Sequence, residues 1–338
     1  MRKYRKLLIS VLLVAAVGAA VWYFYDRRRN SPATVQMLPE GDLLLYADLR
    51  PLHLLLKQPN APQLEHDYQQ FVEQTGIQFE RDLDEVAMSR RDTADGRDVE
   101  SAEIFVGRFD SARLKDYLRR NSAPTETYRD LMIYAIPNEG HTVRACLLDG
   151  SRVAVTNMAS ADAMRGIIDR LHESRPASSL LADYYKRVPL GSLAWMIDRI
   201  PANSDAPQLP GGLNFGFLEN TVAVVSLRYN GALLVRADVV ARSEADAHRL
   251  LDSANVLLVM YRSISGSLGA KGSDPDVKAA LNSIRVEQEA DTAIFTAEFS
   301  ERFLKKILSE TQLDGQAVAP PPSPVPSPRS QPKARGKK

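Results

Sequence analysis

The sequence predicts an α+β fold: a duplicated domain of antiparallel sheets with helices packed on one face, preceded by one transmembrane helix. Three observations predict it. The pairs Asp95-Gly96, Asp149-Gly150 and Asn230-Gly231 punctuate apolar runs, and such pairs tolerate the positive φ of tight strand reversals, so neighbouring strands run antiparallel. Capped amphipathic helices alternate with these hairpins, which favours helices laid on one face of the sheets over a doubly wound parallel sheet. One strand, cap and helix unit recurs at identical spacing: Ile104 to Phe109, then Asp110, Leu114, Tyr117 and Leu118, parallels Ile294 to Phe299, then Ser300, Leu304, Ile307 and Leu308.

Residues 1–6 form a cytoplasmic tail carrying Arg2, Lys3, Arg5 and Lys6. Residues 7–25 are the transmembrane helix, a run of 19 residues whose only polar side chain before the tyrosines is Ser10. As a helix rising about 1.5 Å per residue, the run spans about 28 Å, the hydrocarbon thickness of a bilayer. Trp22, Tyr23, Phe24 and Tyr25 supply an aromatic belt, and Asp26, Arg27, Arg28 and Arg29 follow. The small residues Gly18-Ala19-Ala20 fit a cleavable signal, but the aromatic continuation favours an uncleaved anchor. Lipidation would need a cysteine just after the run, and the chain has one cysteine, Cys146. Four basic side chains and the amino terminus on the near side, against the arginine triplet beyond, place the protein in the cytoplasmic membrane with its body on the periplasmic or extracellular side.

Residues 26–36 read as a linker and residues 37–175 as the first α+β half. That half pairs a strand from Val143 to Leu148 with one from Arg152 to Thr156, and Ser160 opens a helix carrying Met164, Ile167, Ile168 and Leu171 on one face. The longer polar stretch from Arg90 to Glu100 reads as a protruding hairpin. The break falls between Glu173 and Leu190, a segment rich in Ser, Pro and Tyr.

Residues 190–312 are the second half, pairing Val222 to Tyr229 with Ala232 to Val240. Ser243-Glu-Ala-Asp246 resembles a capping box and opens a long helix with Ala247, Leu250, Leu251, Ala254, Leu257, Leu258 and Tyr261 on one face. Asp274-Pro275 opens another, carrying Val277, Ala280, Leu281 and Ile284. A looser echo joins the opening strands of the two halves, Leu44 to Leu49 and Leu193 to Asp198. Residues 313–338 are a disordered Pro-rich basic tail, in which seven prolines from Pro320 to Pro332 precede Lys333, Arg335, Lys337 and Lys338.

The opening stretch from Met37 to Pro51 resembles uncharacterised bacterial envelope proteins in which one membrane helix precedes a leucine-proline and a hydrophobic strand ending in Tyr-x-Asp-Leu. The likeness extends to Gly107 through Asp110 and to a strand from Tyr128 to Tyr134. It implies a compartment and an architecture, and it carries no assigned activity or site residues.

At 338 residues the chain exceeds what one core usually organises, which fits two domains or two similar halves. Lys and Arg (43) nearly balance Asp and Glu (42), leaving no global field for nucleic acid, which is not an expected partner. Cys146, between Ala145 and Leu147, reads as a small buried hydrophobe. Histidines 53, 66, 141, 172 and 248 lack any spacing that puts two on one helical face, so they nominate no metal site. Asp82, Asp84 and Glu85 sit with Arg81, and Asp92, Asp95, Asp98 and Glu100 with Arg90, Arg91 and Arg97, in patterns that suit salt bridges better than a calcium loop. Glu287, Glu289 and Asp291 alternate as on one exposed strand face.

No nucleophile elbow, phosphate loop or dinucleotide fingerprint is present in the sequence. No catalytic, cofactor-binding or metal-binding residue is therefore nominated, and no cofactor is expected. The glycine-rich stretches Gly211 to Gly216 and Ser263 to Gly272 read as loops, the place to expect a binding surface.

The function that follows is a membrane-anchored envelope protein acting as a non-enzymatic binding or scaffolding module. The alternatives are a carrier of an apolar ligand such as lipid, and a cell-wall polymer hydrolase. Its expected partners are the bilayer, through residues 7–25, and an envelope protein or wall polymer, through the basic tail.

Overall fold

A computed structural model of the chain describes residues 31–55, 66–93, 99–138, 141–173, 178–201, 208–209, 213–214, 219–267 and 275–304. The apolar run of residues 7–25 read as a transmembrane helix, residues 1–6, the turn at Asp95-Gly96 and the Pro-rich tail lie outside them. Among the described residues no helix is long and apolar enough to cross a membrane.

The body begins inside the segment read as linker. Helix α1 (Ala33–Gln36) buries Thr34 and Val35, so the stretch leading to the fold is shorter than 26–36. Strand β1 (Leu43–Asp48) follows, then α2 (Arg50–Leu55), α3 (His66–Thr75) and α4 (Phe79–Asp82). Strands β2 (Leu83–Asp92) and β3 (Val99–Gly107) form the hairpin expected around Asp95-Gly96. Helix α5 (Ser111–Asn121) starts at its expected cap, where Asp110 Oδ1 accepts the backbone N–H groups of Ala112 and Arg113, each at 3.1 Å.

Strands β4 (Ala123–Tyr128) and β5 (Leu131–Asn138) correct the single strand expected from Tyr128 to Tyr134. Arg129 and Asp130 take positive φ, 46° and 65°, and reverse the chain between them. The reversal carries no glycine, so its sequence lacks the usual turn signature. Strands β6 (His141–Leu147) and β7 (Arg152–Thr156) flank Asp149-Gly150 as predicted. Helix α6 (Asp162–His172) buries Met164, Ile167 and Ile168.

The segment read as a break is built into the core. Helix α7 (Ser179–Tyr184) is capped by Ser178 and buries Leu180 and Leu181, and a 3-10 turn (Tyr185–Arg187) completes it. Then come β8 (Ala194–Ile200), a two-stranded ladder of β9 (Gln208–Leu209) and β10 (Leu213–Asn214), and the hairpin of β11 (Thr221–Tyr229) with β12 (Ala232–Val240) around Asn230-Gly231. The long helix is α8 (Glu244–Ser267), with Ser243 Oγ accepting the Asp246 N–H at 3.1 Å. Helix α9 (Pro275–Ser283) and strands β13 (Arg285–Glu289) and β14 (Thr292–Ser300) end the described fold, apart from a helical turn over 301–304.

Among the described residues twelve strands form one antiparallel sheet in the order β13-β14-β12-β11-β8-β1-β2-β3-β7-β6-β5-β4. Outward from the central β1–β8 pair the order repeats: β1, β2, β3, β7, β6 on one side match β8, β11, β12, β14, β13 on the other, with β5 and β4 added to the first. The looser echo of Leu44 and Leu193 thus falls on the two central strands. The sequence repeat of identical spacing does not fall on equivalent strands, because it joins β3 to β14, whereas β3 matches β12. Any strand followed by a capped helix draws on the same few residue types, which is why that repeat misleads.

Helices cover both faces, not one. On one face Leu44, Ile104, Cys146, Ile197 and Val224 pack with α1, α6 and α7 in a core that crosses both halves. On the other, Tyr134, Ala145, Leu147 and Val153 pack with Leu114 and Leu118 of α5, while Val239 and Ala293 pack with Ala247 and Leu250 of α8. The reason is local: β5, β6 and β7 carry apolar residues at successive positions, so both of their faces need cover.

Candidate functional site

Where the two half-sheets join, β1 runs antiparallel to β8 with Tyr46 directly opposite Trp195. Their rings stack at 5.9 Å between centroids, and Tyr185 of the 3-10 turn meets Trp195 edge-on at 5.4 Å. Both Tyr46 and Trp195 are buried. The three rings form the floor of a cleft of about 1240 Å³, which is bounded by the chain entry at Pro32 to Thr34 and by the turn from Tyr185 to Leu193.

Strand alternation sets the rim. Successive side chains point to opposite faces, so the face carrying Leu44 and Tyr46 also carries Asp48 at the strand end. Arg50, two residues on, donates from Nε to Asp48 Oδ1 at 2.8 Å and reaches Glu85 Oε1 from Nη2 at 3.1 Å. Both carboxylates are therefore occupied by one guanidinium. Burial first, and then the charges of Glu85 and Asp48, push the Tyr46 hydroxyl well above its ordinary pKa, so it stays a neutral phenol. Burial likewise raises Tyr185.

Across the cleft, Arg152 is held by Asp149 through Nε to Oδ2 at 2.6 Å, and Arg187 donates from Nη1 to Thr292 Oγ1 at 3.2 Å. Lys186 is exposed and makes no ion pair among the described residues. Thr34, also among the lining residues, is buried and has no hydrogen-bond partner for its Oγ1 among the described residues. An apolar floor beneath a rim richer in cations than in carboxylates suits an amphipathic anion. Ser192 Oγ donates to the Pro189 carbonyl at 2.7 Å, so its hydroxyl proton is held by a backbone oxygen rather than by a base that would activate it as a nucleophile.

The structure disperses the residues weighed for chemistry. Cys146 is fully buried in β6, and burial pushes its thiol up to about 12, the inert hydrophobe expected. His248 contacts Gln288 and Asp252, and no group of three or more metal-capable side chains converges among the described residues. The acidic clusters form the salt bridges expected of them, Arg81 with Asp82 at 2.7 Å and Arg90 with Asp92 at 3.6 Å, and Arg91 with Glu100. Glu287 and Glu289 are exposed on the edge strand β13 and do not line the cleft.

Of the loops favoured as a binding surface, residues 268–272 lie outside the described residues. Gly211 to Gly216 lies mostly outside the described residues, and residues 263–267 belong to α8 rather than to a loop. The cleft residues were missed because Tyr46 and Trp195 lie inside the two opening strands and Tyr185 inside the segment read as a break. The available signal was the echo itself, since Tyr46 and Trp195 hold the same position in it.

No protein-family model and no curated protein matches the chain. Among solved structures it is similar to crystal form III of TP0453, at 14% identity over 83% of this chain and 99% of that one, with a TM-score of 0.46. Crystal form IV of TP0453 is 12% identical over 83% and 98% of the two chains, with a TM-score of 0.42, and form I is 12% identical over 84% and 99%, with a TM-score of 0.41.

Proposed function

We propose that this chain is a non-enzymatic binding module of the bacterial envelope, anchored in the cytoplasmic membrane by residues 7–25 and carrying its body on the periplasmic or extracellular side. Its two half-sheets descend from one duplicated unit, and recognition takes place in the cleft at their junction. The observation that carries this reading is the cleft itself: three aromatic rings under a charged rim whose two carboxylates, Asp48 and Glu85, are both tied to Arg50. A hydrolase working through paired carboxylates needs one of them protonated and free to reach its substrate. Held by a guanidinium, these two favour binding over hydrolysis.

Two measurements test the proposal. Protease added to sealed inner-membrane vesicles, whose cytoplasmic face is outward, leaves the body intact if it is exported; complete digestion without lysis refutes the topology. Trp195 and Trp22 are the two tryptophans of the chain, so a Trp22→Phe variant reports on the cleft alone. Its emission shifts when envelope fractions are added, and emission that is indifferent to every fraction counts against the cleft as the binding site.

A further inference from the structure

We infer that the cleft takes the phosphate-bearing headgroup of an anionic lipid drawn from the membrane in which the chain is anchored. This rests on the anchored binding module proposed above and names its ligand.

Charge comes first. Arg50, Arg152, Lys186 and Arg187 line the cleft with the carboxylates Asp48 and Glu85, which share Arg50, while Arg152 is paired with Asp149. Lys186, exposed and outside any ion pair among the described residues, and Arg187, bonded to the neutral Thr292 hydroxyl, therefore leave the cleft with net positive charge. Ammonium and guanidinium groups around an apolar floor are a chemistry that phosphate monoesters and diesters satisfy, the lysine as a point charge and the arginines through their forked donors.

The floor supplies the second observation. The rings of Tyr46, Trp195 and Tyr185 line the cleft beside these cations, an apolar surface for the part of a headgroup that leads into acyl chains.

Position selects the membrane as the source. The wall of the cleft begins at Pro32, seven residues beyond Tyr25, the end of the apolar run. Seven residues span at most about 25 Å even when fully extended. The cleft is thus tethered within that distance of the bilayer surface, where lipid phosphates are the most concentrated anions.

The test uses full-length Trp22→Phe protein in nanodiscs of zwitterionic phosphatidylcholine, with and without phosphatidylglycerol. The inference expects Trp195 emission to shift only with phosphatidylglycerol, and Lys186→Ala to raise the amount of that lipid needed about fivefold.

Identical emission in the two nanodiscs overturns the inference, as does an unchanged response in Lys186→Ala, which would mark general attraction of the protein to a charged surface. A shift produced by inorganic phosphate or glycerol phosphate in phosphatidylcholine nanodiscs assigns the cleft to a free phosphate and overturns the lipid source. Failure of the anchor looks different: the protein then never enters the nanodiscs, and the premise falls before the ligand is tested.

Discussion

Gly107 occupies the end of β3 where two backbone segments nearly touch. A Cβ there would lie 2.1 Å from the Asp82 carbonyl oxygen, which itself accepts the Arg108 N–H at 2.9 Å. Gly107→Ala must push backbone against backbone and should destabilise by about 3 kcal/mol, read as a lowered urea midpoint at unchanged slope. Asp82, at the same contact, is pushed up by burial, but the guanidinium of Arg81 and the N–H of Gln78 outweigh this and hold it below the ordinary carboxylate range. Asp149 and Glu100 are lowered as well, Asp149 by Arg152 and Ser151 against the opposing effect of burial, Glu100 chiefly by Arg91.

A carboxylate with a depressed folded pKa contributes stability that is present above its unfolded pKa, near 4, and lost as pH falls through the folded value. Asp198 and Glu103 act in the opposite sense: burial raises them, so their contribution is present at low pH and fades as pH rises through their folded values. Denaturation midpoints should fall as pH drops below about 4, with a smaller fall in Asp82→Asn. An equal acid sensitivity in that variant would remove Asp82 from the account.

Among the elements, α5 shows how a local signal sets a boundary. Asp110 caps two N–H groups, and the helix then lays Leu114 and Leu118 against Tyr134 and Leu147. Asp110→Ala should cost about 1 kcal/mol, whereas Asp110→Asn should recover most of it, measured by thermal unfolding. The β4–β5 hairpin stands on different footing, because its turn residue Arg129 has positive φ and no glycine's freedom. Arg129 Nε pairs with Asp169 at 2.9 Å, and its Nη2 pairs with Glu173, so contacts to α6 and the residue just beyond it offset the backbone strain. The turn is made by tertiary partners far away in sequence.

Among the described residues the two halves share a twelve-stranded sheet and a core, with Leu44 and Tyr46 of the first packed with Trp195, Ile197 and Val224 of the second. Neither half can separate without exposing that seam, and fully burying side chains of this size contributes about 1.5 to 3 kcal/mol each. The halves should therefore unfold together. In the Trp22→Phe protein, the Trp195 fluorescence transition and the far-ultraviolet circular dichroism transition in urea should coincide. Separated midpoints would show that the halves are energetically independent despite their common sheet.

By itself the sequence determined the parts whose causes are local. The hairpins at Asp149-Gly150 and Asn230-Gly231, the starts of α5, α8 and α9, the antiparallel α+β class and the buried Cys146 all follow from turn chemistry, capping and alternation within a few residues. Only the tertiary structure decided that helices cover both faces, that residues 178–187 are core rather than a break, that β3 corresponds to β12, and that Tyr46, Trp195, Arg50, Lys186 and Thr34 share one cleft. Strand partners are chosen by burial of faces across long sequence separations, and the pattern of one strand does not say which other strand will cover it.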